Sequence, residues 1–343
     1  MNNYIFTPYG TPPHENMPYY TPSAPLPKNY PGLGNGIKGL RRLSITAGLC
    51  VLGFMVLQFA VYFILVFFGL DKAYNNNELF QTAFSSVYSI ICVFLPFFVV
   101  ALFMDDKRRG ETLLFGKPYS LWLMIIAVPA GFMFCMAGNY ATNALVTVME
   151  SFGVTLSAPE NLVPSSVLGQ VMFVIQIAFV PALIEEFALR GVVMQPLRKY
   201  GDRFAIVMSA LVFALMHGNM IQAPFAFIAG LAIGYFVIAT GSIWTGVLIH
   251  FVNNLFSALL NLLNANSSLS LDTAYAAVMT VAFVLGIACC VIFAFNQKRY
   301  KLRKTEYPIS ATRRFFNYIF TLPMIVALAA IAYITLDYIK FGG

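Results

Sequence analysis

Residues 180–191 read VPALIEEFALRG and place two adjacent glutamates, Glu185 and Glu186, in an otherwise apolar run. A charge at the centre of a membrane helix costs about 2.5–3.5 kcal/mol, and adjacent carboxylates also repel each other. Arg190 follows Glu186 by four residues, so the two share a helix face, whereas Glu185 lies about 100° away around the helix. The pattern indicates a functional site in which Arg190 holds Glu186 and Glu185 is available for chemistry. The alternative is a structural ion pair between two helices.

The composition of the whole chain supports a membrane location. Hydrophobic residues make up 59% of the 343 residues, charged residues make up 10%, and the mean hydropathy is +0.75. Soluble domains carry roughly 25% charged residues and about 45–50% apolar ones. The composition excludes a soluble enzyme, a disordered chain and, despite a net charge of +7, a nucleic-acid-binding protein. We predict an all-α, polytopic helical membrane protein with an intramembrane active site.

Nine stretches are candidates for membrane-spanning helices, because a crossing needs about 20 apolar residues. The fifth is short and could be a partial crossing, so we expect eight or nine crossings. The candidates are residues 44–69, 79–103, 120–149, 167–190, 204–217, 222–240, 243–263, 274–296 and 315–338.

The spans divide the chain into four segments. Residues 1–43 form a tail rich in Pro and Tyr, which we expect to be disordered and which could bind a protein partner. Residues 44–164 hold three spans, and residues 165–265 form a core that carries the unusual polar residues. Residues 266–343 hold two spans and a basic loop at 297–314.

The basic residues predict the orientation in the membrane. If the N-terminus is cytoplasmic and all nine stretches cross, 19 of the 21 Lys and Arg residues lie on the cytoplasmic side. The exceptions are Lys72 and Lys340. This asymmetry follows the positive-inside rule. We therefore expect a multi-pass protein of the cell membrane with its active site nearer the cytoplasmic half. Its basic balance reflects topology and contact with the lipid bilayer rather than nucleic acid.

Two of the three histidines lie in or beside predicted spans. Glu185 precedes Gly201 by 16 residues and His217 follows it by 16. If Gly201 lies in the turn of a helical hairpin, both side chains are about 24 Å from that turn and could share a water. His217 could instead form a hydrogen bond between helices, as lone histidines in spans often do.

A polar face marks the span that begins near residue 243. Residues spaced by four, three and four positions lie on one side of a helix. These are His250, Asn254, Ser257 and Asn261. Such a face either lines a cavity or packs against another polar helix.

Three motifs on successive helices carry a resemblance to a known family. They are Glu185-Glu186-x-x-x-Arg190, then Phe213-x-x-x-His217, then His250-x-x-x-Asn254. This set resembles the CAAX-protease and bacteriocin-processing (CPBP, or Abi) family of intramembrane proteases, which includes the type II CAAX prenyl endopeptidase. The resemblance covers about residues 165–265. The family often has an aromatic residue at the position of Leu189.

The resemblance implies a role for each matching residue. Glu185 looks like the general base that, with His217, activates a water. His250 and Asn254 look like the pair that stabilises the oxyanion, and Glu186 and Arg190 look like residues that position the others. The substrate would be a peptide or a membrane-associated protein. Hydrolysis of an amide needs both a base and donors aimed at the developing negative charge.

The sequence leaves two possibilities for a cofactor. Glu185, His217 and His250 could bind Zn²⁺ if the protein were a metalloenzyme. However, His-Glu-x-x-His is absent and the three residues come from three helices, so we favour a glutamate mechanism without a metal or other cofactor. The five cysteines all lie in apolar runs without a Cys-x-x-Cys pair, which argues against a disulfide framework.

Two other functions stay open. The chain could be a non-catalytic membrane scaffold or a bacteriocin-immunity protein of the same fold, which would use its tail and basic loop to bind partners. It could also be an ion-coupled transporter with the two glutamates as a relay, although no inverted repeat supports this.

Overall fold

The computed structural model of the chain describes residues 33–103, 115–159, 162–266, 272–296 and 302–341, which are almost entirely helical. Two short antiparallel strands, β1 (Val154–Leu156) and β2 (Ile339–Phe341), pair Val154 with Phe341 and Leu156 with Ile339. The helices are α1 (Leu33–Phe67), α2 (Asp71–Asn76), α3 (Glu78–Leu102), α4 (Leu121–Ser151), α5 (Val167–Tyr200), α6 (Asp202–Met216), α7 (Gln222–Thr240), α8 (Ile243–Asn266), α9 (Asp272–Asn296), α10 (Ala311–Ile319) and α11 (Leu322–Leu336), and the strands are β1 (Val154–Leu156) and β2 (Ile339–Phe341).

The chain is an all-α polytopic membrane protein. Within the described ranges, seven helices are long and apolar enough to cross a membrane. They are α1, α3, α4, α5, α7, α8 and α9. The pair α10 and α11 makes an eighth span if it is counted as one, although its two helices are bent by 74°. The fifth predicted span is α6, which has only 15 residues and so falls short of a full crossing.

The predicted tail differs from the structure at its C-terminal end. Helix α1 begins at Leu33 rather than near residue 44. Leu40 is fully buried, and Ser44 donates a hydrogen bond to the carbonyl of Tyr318, so packing extends the helix through the basic residues. Residues 1–32 of the predicted tail and 297–301 of the basic loop lie outside the described residues.

Polar caps and glycines define several helix ends. Ser120 and Ser166 each accept a hydrogen bond from a backbone N–H in the first turn of α4 and α5, at 3.4 and 3.1 Å. Gly201 adopts φ +102° between α5 and α6, and Gly241 adopts φ +71° between α7 and α8. Because side chains rarely tolerate positive φ, these glycines allow the sharp turns that fold α5–α8 back on themselves.

Helix α5 is interrupted by two π-helical turns, at Ile175–Phe179 and Phe187–Met194. The glutamate pair lies between them, at the end of the short α-helical stretch Val180–Glu186. Pro181 has no backbone N–H, so the carbonyl of Ile177 has no partner at the usual helical position. Such π turns are often found at functional sites.

The core forms where α5, α6, α7 and α8 pack together with α4. Its buried side chains include Met194, Phe213, Ile233 and Ile249. Large apolar side chains such as Phe59 on α1 and Val284 on α9 are instead mostly exposed. In a bilayer these outer faces contact lipid, so the unusual polar residues lie in the protein interior.

Candidate active site

Glu186 lies at the centre of a buried cluster. Its Oε1 is 3.1 Å from Nη1 of Arg190 and 3.0 Å from Nδ1 of His250, and both Glu186 and Arg190 are 0% exposed. The guanidinium of Arg190 also stacks over the ring of Phe213, 4.7 Å from its centroid. A carboxylate can only accept, so Nδ1 of His250 donates to Glu186 and carries a proton.

Glu185 is the more accessible of the two glutamates. Its side chain is 22% exposed, and its Oε2 lies 3.7 Å from Nε2 of His250. This distance is too long for a hydrogen bond. The separation is short enough for a single water to form hydrogen bonds with both atoms. His250 therefore touches both carboxylates, one through each ring nitrogen.

His217 lies where α6 ends. Its Nδ1 is 2.9 Å from the carbonyl of Phe213, which can only accept, so Nδ1 donates and Nε2 of the neutral ring is left as an acceptor. The ring of His217 packs edge-on against Phe213, and the ring of His250 packs edge-on against Phe213 as well. Phe213 therefore contacts both histidines. Among the described residues, His217 has no ion pair with Glu185.

Asn254 forms a hydrogen bond with the backbone carbonyl that lacks its helical partner because of Pro181. Its Nδ2 donates to the carbonyl of Ile177 at 3.1 Å, and its Oδ1 accepts from Nδ2 of Asn253 at 3.0 Å. The amide thereby satisfies a carbonyl that a regular helix would have paired internally. Asn254 is half-buried, and one of its two N–H groups remains for another acceptor.

The rest of the polar face on α8 is divided between the interior and the outside. Asn253, which flanks the face, is buried, whereas Ser257 is exposed and Asn261 is half-buried. The part of the face closest to the glutamates is thus the part enclosed by protein.

Sequence reasoning missed two residues that shape the site. Asn219 is buried, and its Nδ2 donates to the carbonyl of His217 at 2.9 Å, which holds the break between α6 and α7. Gly246 lies one turn before His250, and a Cβ there would be 2.7 Å from Oε2 of Glu186. A polar residue just after a predicted span and a lone glycine inside one are weak signals, because both are common.

Residues 167–256 match the family model described as type II CAAX prenyl endopeptidase Rce1-like. The chain carries an Rce1-like domain. This domain extends from the start of α5 into α8 and covers about a quarter of the chain. It contains all seven residues named in the three motifs. No curated protein and no solved structure matches the chain.

The Rce1-like domain offers few ligands for a metal. Within the described parts of the chain, no three His, Cys, Asp or Glu side chains are grouped so that they could hold an ion. Of the three candidate ligands, Glu185 and His250 are neighbours, with Oε2 and Nε2 3.7 Å apart, and no ion pair joins His217 to Glu185 among the described residues. Nδ1 of His250 is already bonded to Glu186. The donor set in this arrangement does not fit a three-ligand zinc site.

Proposed function

We propose that the chain is an intramembrane endopeptidase that hydrolyses a peptide bond in a peptide or membrane-associated protein. The observation that carries this proposal is the placement of His250 between Glu185 and Glu186 inside the Rce1-like domain. It combines a partly exposed carboxylate, a histidine and a buried ion pair at one place. A general base in such a position typically contributes about 10²–10⁴-fold in rate.

In this mechanism Glu185 removes a proton from a water, whose oxygen attacks the peptide carbonyl. The same carboxyl later gives the proton to the departing nitrogen, so that a carboxylate and an amine are released. His217 assists through Nε2, which is its free acceptor because Nδ1 donates to the carbonyl of Phe213. The water would lie on the exposed side of Glu185.

The oxyanion would be stabilised by His250 and Asn254. Since Nδ1 of His250 donates to Glu186, Nε2 can donate to the oxyanion only when both ring nitrogens carry protons. Glu186 accepts from Nδ1 of His250, and Arg190 holds Glu186 in place. Asn254 would use the N–H that is not bonded to Ile177. One oxyanion donor is worth about 2.7–4 kcal/mol.

We also propose that the N-terminus is cytoplasmic and that the active site lies nearer the cytoplasmic half of the membrane. The positive-inside asymmetry of the Lys and Arg residues supports this orientation. Helix α6 connects the basic turn around Gly201 to His217.

The experiment compares membrane proteomes from cells that express the wild type, Glu185→Gln or Glu150→Gln. Glu150 is an exposed glutamate near the end of α4 and serves as the matched control. Uncleaved substrate should accumulate with Glu185→Gln only, at equal amounts of folded protein. Full activity in Glu185→Ala would contradict the proposal. A phenotype lost on deleting the tail or basic loop, but not in Glu185→Ala, would indicate a scaffold.

The metal question has its own measurement. Purified protein is incubated with substrate before and after treatment with a chelator. The glutamate mechanism predicts unchanged cleavage. Loss of cleavage that added Zn²⁺ restores would contradict it.

A further inference from the structure

A buried chain of hydrogen bonds begins at Arg190 and leads away from the candidate site. Nε2 of Gln195 donates to the carbonyl of Arg190 at 3.1 Å. Nη1 of Arg198 donates to Oε1 of Gln195 at 3.0 Å, and Nε of Arg198 donates to Oδ1 of Asp202 at 2.8 Å. We call these three side chains, Gln195, Arg198 and Asp202, the Gln195 network.

The network ends on a segment outside the matched residues. The backbone N–H of Arg303 donates to Oδ2 of Asp202 at 2.8 Å, and the N–H of Asp202 donates to the carbonyl of Arg303 at 3.1 Å. Nearby, the N–H of Glu306 donates to the carbonyl of Lys199 at 2.9 Å. Residues 302–307 therefore lie along the turn between α5 and α6 and are held there by backbone hydrogen bonds.

The Gln195 network is deeply buried. Gln195, Arg198 and Asp202 are exposed by no more than 4%. A buried network whose members are bonded to one another is rigid, because breaking any link leaves a costly unpaired group. The network can therefore fix the end of α5 relative to the C-terminal segment.

The end of α5 needs such support because it is π-helical. The stretch Phe187–Met194 contains Arg190 and is eight residues long, whereas π-helix is rare and usually occurs as single turns. Two of its carbonyls accept from side chains: that of Leu189 from Ser209, at 2.8 Å, and that of Arg190 from Gln195. The path of this turn determines whether the Arg190 side chain reaches Glu186.

We propose that Gln195 and Asp202 are positioning residues of the candidate active site, and that residues 302–307 complete their support. They hold the π turn in the path that points Arg190 at Glu186, which in turn holds Nδ1 of His250. The functional unit then extends beyond the Rce1-like domain into the C-terminal segment. The catalytic importance of this positioning rests on the proposed function, but the positioning itself does not.

The test uses NMR of the imidazole nitrogens in the purified full-length protein labelled with ¹⁵N. The chain has three histidines, so His250 is assigned with the variants His14→Gln and His217→Gln. Nδ1 of His250 reports its hydrogen bond to Glu186. The variants are Gln195→Leu and Asp202→Asn, and Asp202 is about 24 Å along the helices from Glu186.

Each variant has a matched control elsewhere in the protein. Gln170 also lies in α5, and its Nε2 donates to the carbonyl of Pro164 at 3.3 Å, so Gln170→Leu removes the same kind of bond. Oε2 of Glu78 accepts from the backbone N–H of Ser165 at 2.9 Å, so Glu78→Gln removes a carboxylate that accepts from the backbone.

The proposal predicts that Gln195→Leu and Asp202→Asn each shift the Nδ1 resonance of His250 towards that of a histidine without the Glu186 bond. The resonances of His217 should stay in place, as should all imidazole resonances in both controls. The double variant should shift His250 no further than the stronger single variant, because both act through one network.

An unchanged His250 resonance in folded Gln195→Leu and Asp202→Asn would overturn the proposal, as would an equal shift in the controls. If either variant fails to fold, the milder Arg198→Lys, which keeps the charge and loses the forked contact, must give the same His250 shift. A shifted resonance in a protein that cleaves no substrate would support the positioning while contradicting the proposed function.

Discussion

Two buried ion pairs lie on the α5–α6 hairpin, and they differ in how completely they are bonded. Glu186–Arg190 and Arg198–Asp202 both have partners four residues apart, and their charged atoms are 3.1 and 2.8 Å apart. In the first pair, Nη1 of Arg190 faces Oε1 of Glu186, whereas Oε2 of Glu186 and Nε and Nη2 of Arg190 have no hydrogen-bond partner among the described residues. The second pair is bonded to Gln195 and to the backbone of Arg303.

The difference is what we expect if Glu186–Arg190 has the proposed functional role and Arg198–Asp202 a structural one. A buried polar atom without a partner costs about 1–3 kcal/mol, so the Glu186–Arg190 pair is expensive to keep. Its benefit is the contact with His250, which also faces Glu185. The Arg198–Asp202 pair instead joins α5, α6 and the C-terminal segment. Spacing alone cannot distinguish the two pairs, because it is the same in both.

The largest effect on stability is expected when one member of the incompletely bonded pair is removed. Arg190→Met leaves the buried carboxylate of Glu186 without its permanent positive partner, which should cost about 3–5 kcal/mol. Lys72→Met, at an exposed lysine, should change stability by no more than about 0.5 kcal/mol. Denaturant unfolding in detergent micelles measures both values. Equal stability of the two variants would contradict this assignment of the pair.

Replacing both members of each pair separates their roles. Glu186→Leu with Arg190→Met should leave stability near that of the wild type, because apolar groups often replace a buried ion pair at no cost. Cleavage should be lost. Arg198→Met with Asp202→Leu should destabilise by about 1–3 kcal/mol for each bond lost by Gln195 and Arg303. A more severe loss of stability in the first double variant would reverse the comparison.

Gly246 tests how tightly the functional pair is enclosed. A Cβ there would lie 2.7 Å from Oε2 of Glu186 and 2.7 Å from Cγ2 of Val237. Gly246→Ala should cost about 1–3 kcal/mol through overpacking and should lower cleavage by displacing Glu186. Gly34→Ala on α1 is the control, since no atom lies within 4 Å of its added Cβ. Wild-type cleavage in Gly246→Ala would show that the carboxylate tolerates displacement.

The smallest expected effect concerns Glu306, beside the structural pair. Partial desolvation raises the pKa of this surface-exposed carboxyl above its ordinary value, against the opposing influence of Arg303 and Lys199. The folded protein then binds the proton more tightly than the unfolded chain does. The free energy of unfolding should fall as the pH rises from the ordinary value through the raised pKa.

Glu306→Gln should remove that pH dependence and raise stability at neutral pH by less than about 1 kcal/mol, because solvent screens an exposed group. Unfolding measured across pH, with Glu150→Gln as the control, checks this. A free energy of unfolding that rises with pH in this window in the wild type alone would contradict the assigned direction.

Much of the site follows from the sequence because charge is rare within this membrane protein. Glu185, Glu186 and Arg190 stand out from an apolar run, and helical spacing predicts which of them can pair. The contact between His250 and Glu186 depends on how closely α8 approaches α5, which Gly246 permits and which spacing does not reveal. The sequence gives no signal for the Gln195 network, because Asp202 and Arg198 adjoin a loop, where charged residues are common.

The depth of a residue in the α5–α6 hairpin predicts its side-chain contacts less well than residue type predicts the location of the site. Equal distances from Gly201 predict that Glu185 and His217 lie at one level, but the structure places His250 rather than His217 within 4 Å of Glu185. The side-chain directions around each helix decide this contact, and the π turns of α5 change those directions. The role of His217 in activating water therefore stays a prediction.

The most direct test of the account measures cleavage by purified protein in lipid nanodiscs. The probe is a membrane protein that accumulates with Glu185→Gln in cells, incubated with wild type, Glu185→Gln and Glu150→Gln at equal melting temperature. The account predicts cleavage by the wild type and by Glu150→Gln, and a rate lower by about 10²–10⁴-fold with Glu185→Gln. Cleavage by folded Glu185→Gln at the wild-type rate would contradict it.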